Sequence, residues 1–215
     1  MIFMNKITVE SKIPPYIPLQ LNTDYLEFCN ADYLCIKEPG GFVMIPDNYN
    51  DALNPDNTLV NHVRQLITDL ELYELNTDEC YWYLSVKKGF INPHQYQTKD
   101  EWHIDGFLRD DYNFIWSNAL PTLLAPGKFE LTPNRYTSLN EYVDQVKEVV
   151  PSEVNKLYYL DRECVHKPMV NESDDVVVRT FFKLTITKRL FESKGNAWNY
   201  LIPHIKATKE RTNFV

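Results

Sequence analysis

The sequence predicts an α+β fold that is mainly β, a jelly roll with supporting helices. Three observations predict it. Short runs rich in Val, Ile, Tyr, Phe and Trp recur along the chain, separated by Pro, Gly, Asn and Asp. Helical periodicity is confined to a few stretches, mainly in the first third. Residues 176–188 alternate so that Val176, Val178, Phe182, Leu184 and Ile186 share one face while Arg179, Phe181, Lys183 and Thr185 share the other. Double antiparallel sheets are built from such strands.

With 215 residues the chain is long enough for a sizeable core and is expected as one domain. Its 14 Tyr, 11 Phe and 4 Trp against only 6 Gly indicate dense packing. The balance of 22 basic and 30 acidic side chains, net −8, disfavours duplex nucleic acid as a partner, because phosphate binding needs a basic face. No run approaches the roughly eighteen apolar residues of a membrane span. Residues 1–11 lack a signal peptide's basic start, apolar stretch and cleavage site. Cys29, Cys35, Cys80 and Cys164 show no C-x-x-C pair or regular framework, so a reduced, cytoplasmic protein without a membrane partner is expected.

Taken in order, residues 1–20 are polar and broken by Pro14, Pro15 and Pro18, which oppose regular helix. Residues 21–30 are expected as a short helix capped by Asn22 or Thr23. Residues 33–37 and 42–45, around Pro39-Gly40-Gly41, read as strand, turn, strand. Residues 46–57 form a loop dense in Asn, Asp and Pro. A helix is expected over 58–72, where Leu59, Val63, Leu66 and Leu70 recur at helical spacing and Val60 and Ile67 widen the stripe. That periodicity assigns the stripe to the core.

Residues 79–90 are β-prone through Tyr81, Trp82, Tyr83 and Val86, and 92–99 form a polar loop leading to a strand at His103. Residues 112–117 read as a strand before Pro121, Pro126-Gly127 as a turn, and 128–131 as extended. Ser138 and Glu141 make a capping box for a helix over 138–150, stopped by Pro151. Leu139, Tyr142, Val143 and Val146 give it an apolar face. Strands at 154–160 and 176–188 follow. Beyond Arg189, Trp198, Leu201 and Ile202 are expected to dock a short terminal helix.

The chemistry concentrates in Trp102-His103-Ile104-Asp105-Gly106-Phe107. Alternate side chains of an extended segment point the same way, so His103 and Asp105 can converge on one point. Two imidazoles and one carboxylate form the facial triad that holds non-haem Fe(II) with positions left open. His166 is the natural third ligand and His94 its rival; His62 lies on the expected helix and His204 in the tail. An H-x-D pair alone is weak, since a buried His–Asp pair is often structural. Arg179 follows His166 by thirteen residues. By strand alternation alone it reads as a cation facing water. Arg109, Asp110 and Asp111 read as a solvated loop.

This order and spacing, H-x-D, a distant His, then Arg, resembles the Fe(II)/2-oxoglutarate-dependent dioxygenases over about residues 80–188. The resemblance implies a double-stranded β-helix, cupin-like, as the catalytic core, with residues 1–79 as support and 189–215 as an extension. It implies Fe(II) on His103, Asp105 and His166, Arg179 on the distal carboxylate of 2-oxoglutarate, and O₂ as the oxidant. Tyr83, with Tyr81 and Ser85 on the same strand face, is where the family often gives the cosubstrate a hydroxyl; these side chains read equally as core. The expected outcome is hydroxylation or desaturation of a small molecule or side chain with release of succinate and CO₂. Halogenation is not expected, since Asp105 keeps the carboxylate that the halogenating branch lacks. Nucleobase oxidation, a metal cupin with other chemistry, and a catalytically silent jelly roll stay open, as do the primary substrate and the oligomeric state.

Overall fold

The computed structural model describes residues 5–24, 26–49, 59–72 and 76–205. It is mostly antiparallel β with few helices, as expected. A six-stranded sheet runs in the order β2 (Tyr16–Pro18), β9 (Lys156–Leu160), β5 (Tyr112–Ser117), β11 (Val177–Thr187), β4 (Tyr81–Ile91), β3 (Cys29–Lys37). A three-stranded sheet orders β10 (His166–Pro168), β6 (Thr122–Leu124) and β8 (Val150–Pro151). β1 (Ile7–Ser11) pairs with β7 (Gly127–Leu131). The long strands β4 and β11 match residue for residue, from Tyr81 opposite Thr187 to Ile91 opposite Val177.

Strand alternation decides what each face of the large sheet meets. Trp82, Leu84 and Val86 of β4, Phe114 and Trp116 of β5, and Phe182, Leu184 and Ile186 of β11 point to one side. Helix α1 (Leu59–Asp69) covers them with Leu59, Val60, Val63 and Leu66, so its apolar stripe is core as the periodicity predicts. The opposite face carries Arg179, Lys183, Thr185 and Thr187 beside Ser85, Asn113 and Ser117. This face is also enclosed: Ile115, Phe181, Tyr158 and Leu160 pack with Leu124 of the small sheet and with Cys164. The cations of β11 therefore face the interior, where water is scarce.

A second core, of Val9, Trp102, Ile104, Phe107, Phe129, Leu131, Tyr142 and Val165, lies behind the segments that carry His103 and His166. Helix α2 (Arg135–Val143) joins it through Tyr142, whose ring centroid is 5.9 Å from that of Phe129.

Several local expectations are corrected. Residues 21–24 and 26–28 form no helix; Lys88 Nζ donates to Thr23 O and Leu26 O, both at 2.7 Å, and so takes carbonyls a helix would have used. Residues 42–45 join no ladder; Met44 N donates to Ile36 O, but Phe42 is 83% exposed. The helix expected over 138–150 starts earlier and stops earlier. Asn134 Oδ1 accepts from Thr137 N at its start, while Glu141 is drawn away to accept from the backbone N–H and hydroxyl of Thr132 at 2.6 and 2.8 Å. Ser138 is consequently an interior residue, and Val143 is 63% exposed. Of the three expected tail anchors only Ile202 is buried, and residues up to 205 form turns. The start of the expected helix at Thr58, most of the loop over 46–57, and residues 206–215 lie outside the described residues.

Candidate metal centre

Four residues around His103 alternate in their environment. Trp102 and Ile104 are buried in the second core, which turns His103 and Asp105 to the other side. The segment is not a full strand: His103 forms a single bridge and Asp105 begins a turn. His103 N donates to His166 O at 3.0 Å and His166 N to His103 O at 2.9 Å, so the two residues sit directly opposite. Their ring centroids are 4.4 Å apart. Ligand atoms of His103, Asp105 and His166 all lie within 4.8 Å of one another. His94, the rival, is exposed in its loop and outside this group.

Both rings are oriented by the same local device. His103 Nδ1 meets Glu101 O at 2.7 Å and His166 Nδ1 meets Cys164 O at 3.0 Å, each a carbonyl two residues back. A carbonyl only accepts, so each Nδ1 carries the proton and each Nε2 keeps its lone pair for a metal. Burial, and then the neighbouring His166, push His103 down to about 4, so its imidazole is neutral at neutral pH.

Asp105 divides its oxygens. Oδ2 lies 3.5 Å from His166 Nε2, and Oδ1 lies 3.0 Å from Lys183 Nζ. Burial alone would raise the Asp105 carboxyl, but the Lys183 charge beside it outweighs this and holds it well below the usual carboxylate range. Burial likewise works against the Lys183 ammonium, and Asp105 with Tyr33 overrides it, so Lys183 stays charged.

The turn after Asp105 is built to fit. Gly106 has φ +68°, and a Cβ there would stand 3.0 Å from Asp111 Cβ. Asp111 accepts from Thr187 Oγ1 at 2.6 Å and from Arg189 Nη2 at 2.8 Å. It is therefore a buried anchor of the ligand turn, which corrects its reading as part of a solvated loop. Arg109 and Asp110 are exposed, Asp110 pairing with Arg162.

Arg179 lies on the same face of β11 as Lys183, four residues and about 13 Å along the strand. It is 4% exposed. Nε donates to Ala119 O at 2.9 Å and Leu120 O at 2.8 Å, and a terminal nitrogen donates to Gln97 Oε1. Among the described residues no carboxylate pairs with it, and burial lowers it to about 10. A buried cation with only neutral acceptors is costly and invites an anion.

Tyr83 is placed elsewhere. It stands opposite Thr185, about 20 Å along β11 from Arg179. Its hydroxyl accepts from Phe191 N at 2.9 Å and its ring stacks on Phe191. Together with Tyr33, Cys35 and Trp198 it lines a cavity of about 320 Å³. The structure does not bring Tyr83 to Arg179.

The sequence reading missed Lys183 and Gln97. Lys183 had a signal, since strand alternation puts it on the Arg179 face. Gln97 had none, because it comes from an irregular loop.

No family model matches the chain. No curated protein matches it either. Among solved structures, EvdMO1 aligns at 20% identity over 57% of this chain and 32% of its own, with a TM-score of 0.34. EvdO2 from Micromonospora carbonacea var. aurantiaca, also solved complexed with 2-oxoglutarate, aligns at 12% identity over 72% of this chain and 76% of its own, TM-score 0.33. The non-heme alpha ketoglutarate dependent carbocyclase SnoK from nogalamycin biosynthesis aligns at 12% identity over 50% of this chain and 48% of its own, TM-score 0.30. Any functional reading of this chain therefore stands on its own site geometry.

Proposed function

We propose that this chain is a non-haem Fe(II)- and 2-oxoglutarate-dependent dioxygenase that hydroxylates a small molecule or a side chain. The observation that carries the reading is the set of His103, Asp105 and His166, with both Nδ1 atoms tied to backbone carbonyls. Two neutral imidazoles and one carboxylate suit Fe(II) and leave positions open. In this reading the six-stranded and three-stranded sheets are the two walls of a double-stranded β-helix, the site lying between them.

His103 and His166 would hold the metal through Nε2, and Asp105 through Oδ2. Arg179 would grip the distal carboxylate of 2-oxoglutarate, for which its planar fork and permanent charge are suited. Gln97, Ala119 O and Leu120 O hold that fork in place. Ile115, Phe181, Tyr158 and Leu160 keep water from the face on which it lies. Iron with 2-oxoglutarate and O₂ supplies the oxidising chemistry, with release of succinate and CO₂. Free thiols at all four cysteines suit the reducing compartment that ferrous iron needs.

The test is anaerobic titration with ferrous iron and 2-oxoglutarate, followed by a succinate assay against pooled metabolites and peptides. A metal-to-ligand charge-transfer band is expected only when both are present. A bound metal with no band and no succinate would overturn the reading in favour of a metal cupin of other chemistry.

A further inference from the structure

The strongest unassigned feature is the ammonium of Lys183, which reaches a candidate metal ligand from β11. Its side chain is 13% exposed and that of Asp105 17%. It takes Oδ1 at 3.0 Å while Oδ2 is left toward His166. The lysine is itself held: its Nζ lies 5.3 Å from the Tyr33 ring centroid. Tyr33 adopts φ 52° where β3 shifts register against β4 between Ala31 and Leu34, and its N–H donates to Ser85 Oγ at 3.1 Å. Ser85 is the residue directly opposite Lys183. A non-glycine residue in that backbone region costs energy and persists where its surroundings fix it.

An ordinary buried ion pair is the plain alternative. Such pairs add little to stability over apolar residues of the same volume, because desolvation offsets their attraction. Here the anion is also the carboxylate of the candidate metal group found among the described residues, and a carboxylate can ligate through one oxygen or two.

Resting on the function proposed above, we propose that Lys183 is a positioning residue that occupies Oδ1 and leaves Asp105 only Oδ2 for the metal. The consequence is in the coordination count. Three protein ligands leave three of six positions, enough for a bidentate cosubstrate and O₂; an Asp105 bound through both oxygens would take one of them. Lys183 thereby keeps room for the cosubstrate, and its repulsion of the metal is the cost.

The probe is Co(II), followed by titration with 2-oxoglutarate, on the unmodified chain, Lys183→Met and Lys183→Arg. Lys183→Met is expected to bind Co(II) at least as tightly as the unmodified chain, with altered d–d bands because the second Asp105 oxygen replaces a water at the same coordination number. Its 2-oxoglutarate affinity is expected to fall tenfold or more, and Lys183→Arg to recover most of that loss. Parallel loss of Co(II) and 2-oxoglutarate binding in Lys183→Met, or no change in either, overturns the role. Unmodified protein that binds Co(II) but no 2-oxoglutarate sinks the function proposed above, and the d–d bands of Lys183→Met then decide Lys183 alone. Should that variant not fold, a structure of the Co(II)-loaded unmodified chain decides: Oδ1 on Lys183 supports the role, and Asp105 bound through both oxygens overturns it.

Discussion

His103 and His166 exchange both backbone hydrogen bonds across one isolated bridge, which places two imidazoles 4.4 Å apart on the same side of two neighbouring segments. Sixty-odd residues of chain between them are thereby reduced to a single antiparallel step. The position of either ring depends on the other's backbone, so damage at one should be felt at both.

Metal binding tests this arrangement directly. Ferrous iron, or Mn(II) as a redox-stable probe, should bind near one equivalent by calorimetry. His103→Ala or His166→Ala should each cost more than the roughly 10–100-fold that follows loss of a residue merely supporting a ligand. His94→Ala should leave binding unchanged, as its side chain is exposed and apart from the group. Loss of metal in His94→Ala with retention in His166→Ala would reverse the assignment.

Arg179 should matter for the cosubstrate and leave the metal alone. Hydrogen bonds to charged groups contribute about 1.5–3 kcal/mol, so Arg179→Leu should weaken 2-oxoglutarate binding roughly 10–100-fold with iron still bound. Lysine at this position should recover part, since one ammonium cannot reproduce the fork. Unchanged cosubstrate affinity in Arg179→Leu would remove its role.

In metal-free protein, pH dependence follows from His103. Its folded value is lowered to about 4, against 6.5 in the unfolded chain. Between these values the unfolded state binds a proton that the folded state does not. Stability should therefore fall as pH drops from about 6.5 toward 4, and this contribution should level off below 4. Urea unfolding in the presence of chelator from pH 7.5 to 4.5 measures it, and His103→Leu should flatten the slope. An equal slope in that variant would assign the effect to other groups.

Gly106→Ala should destabilise the chain by about 1–3 kcal/mol, because the residue needs a positive φ and the added Cβ meets Asp111 at 3.0 Å. Asp105 is the preceding residue, so metal affinity should fall with stability. Urea unfolding and metal titration on the same sample check both; a neutral result would mean that the turn relaxes freely.

Much of the site was open to reading because its parts are local. Alternation around Trp102 and Ile104 turns His103 and Asp105 the same way, and a strand's period of two says which residues of 176–188 share a face. Helix α1 followed its apolar stripe for the same reason. Errors arose where a distant group took over a local one. Lys88 captures the carbonyls of Thr23 and Leu26, and Thr132 captures the carboxylate of Glu141, so a capping signal and a helix signal both came to nothing.

By itself the sequence determined that the chain is mainly β, which residue types supply the candidate ligands, and in what order they come. Only the tertiary structure decided that Lys183 sits on Asp105, that Asp111 anchors the turn, that Arg179 is buried with no carboxylate partner among the described residues, and that Tyr83 lies far from it. The physical reason is that periodicity reports which way a side chain points, while its chemical state depends on what stands opposite. For Lys183 and Asp105 that neighbour is 78 residues away along the chain and 3.0 Å away in space.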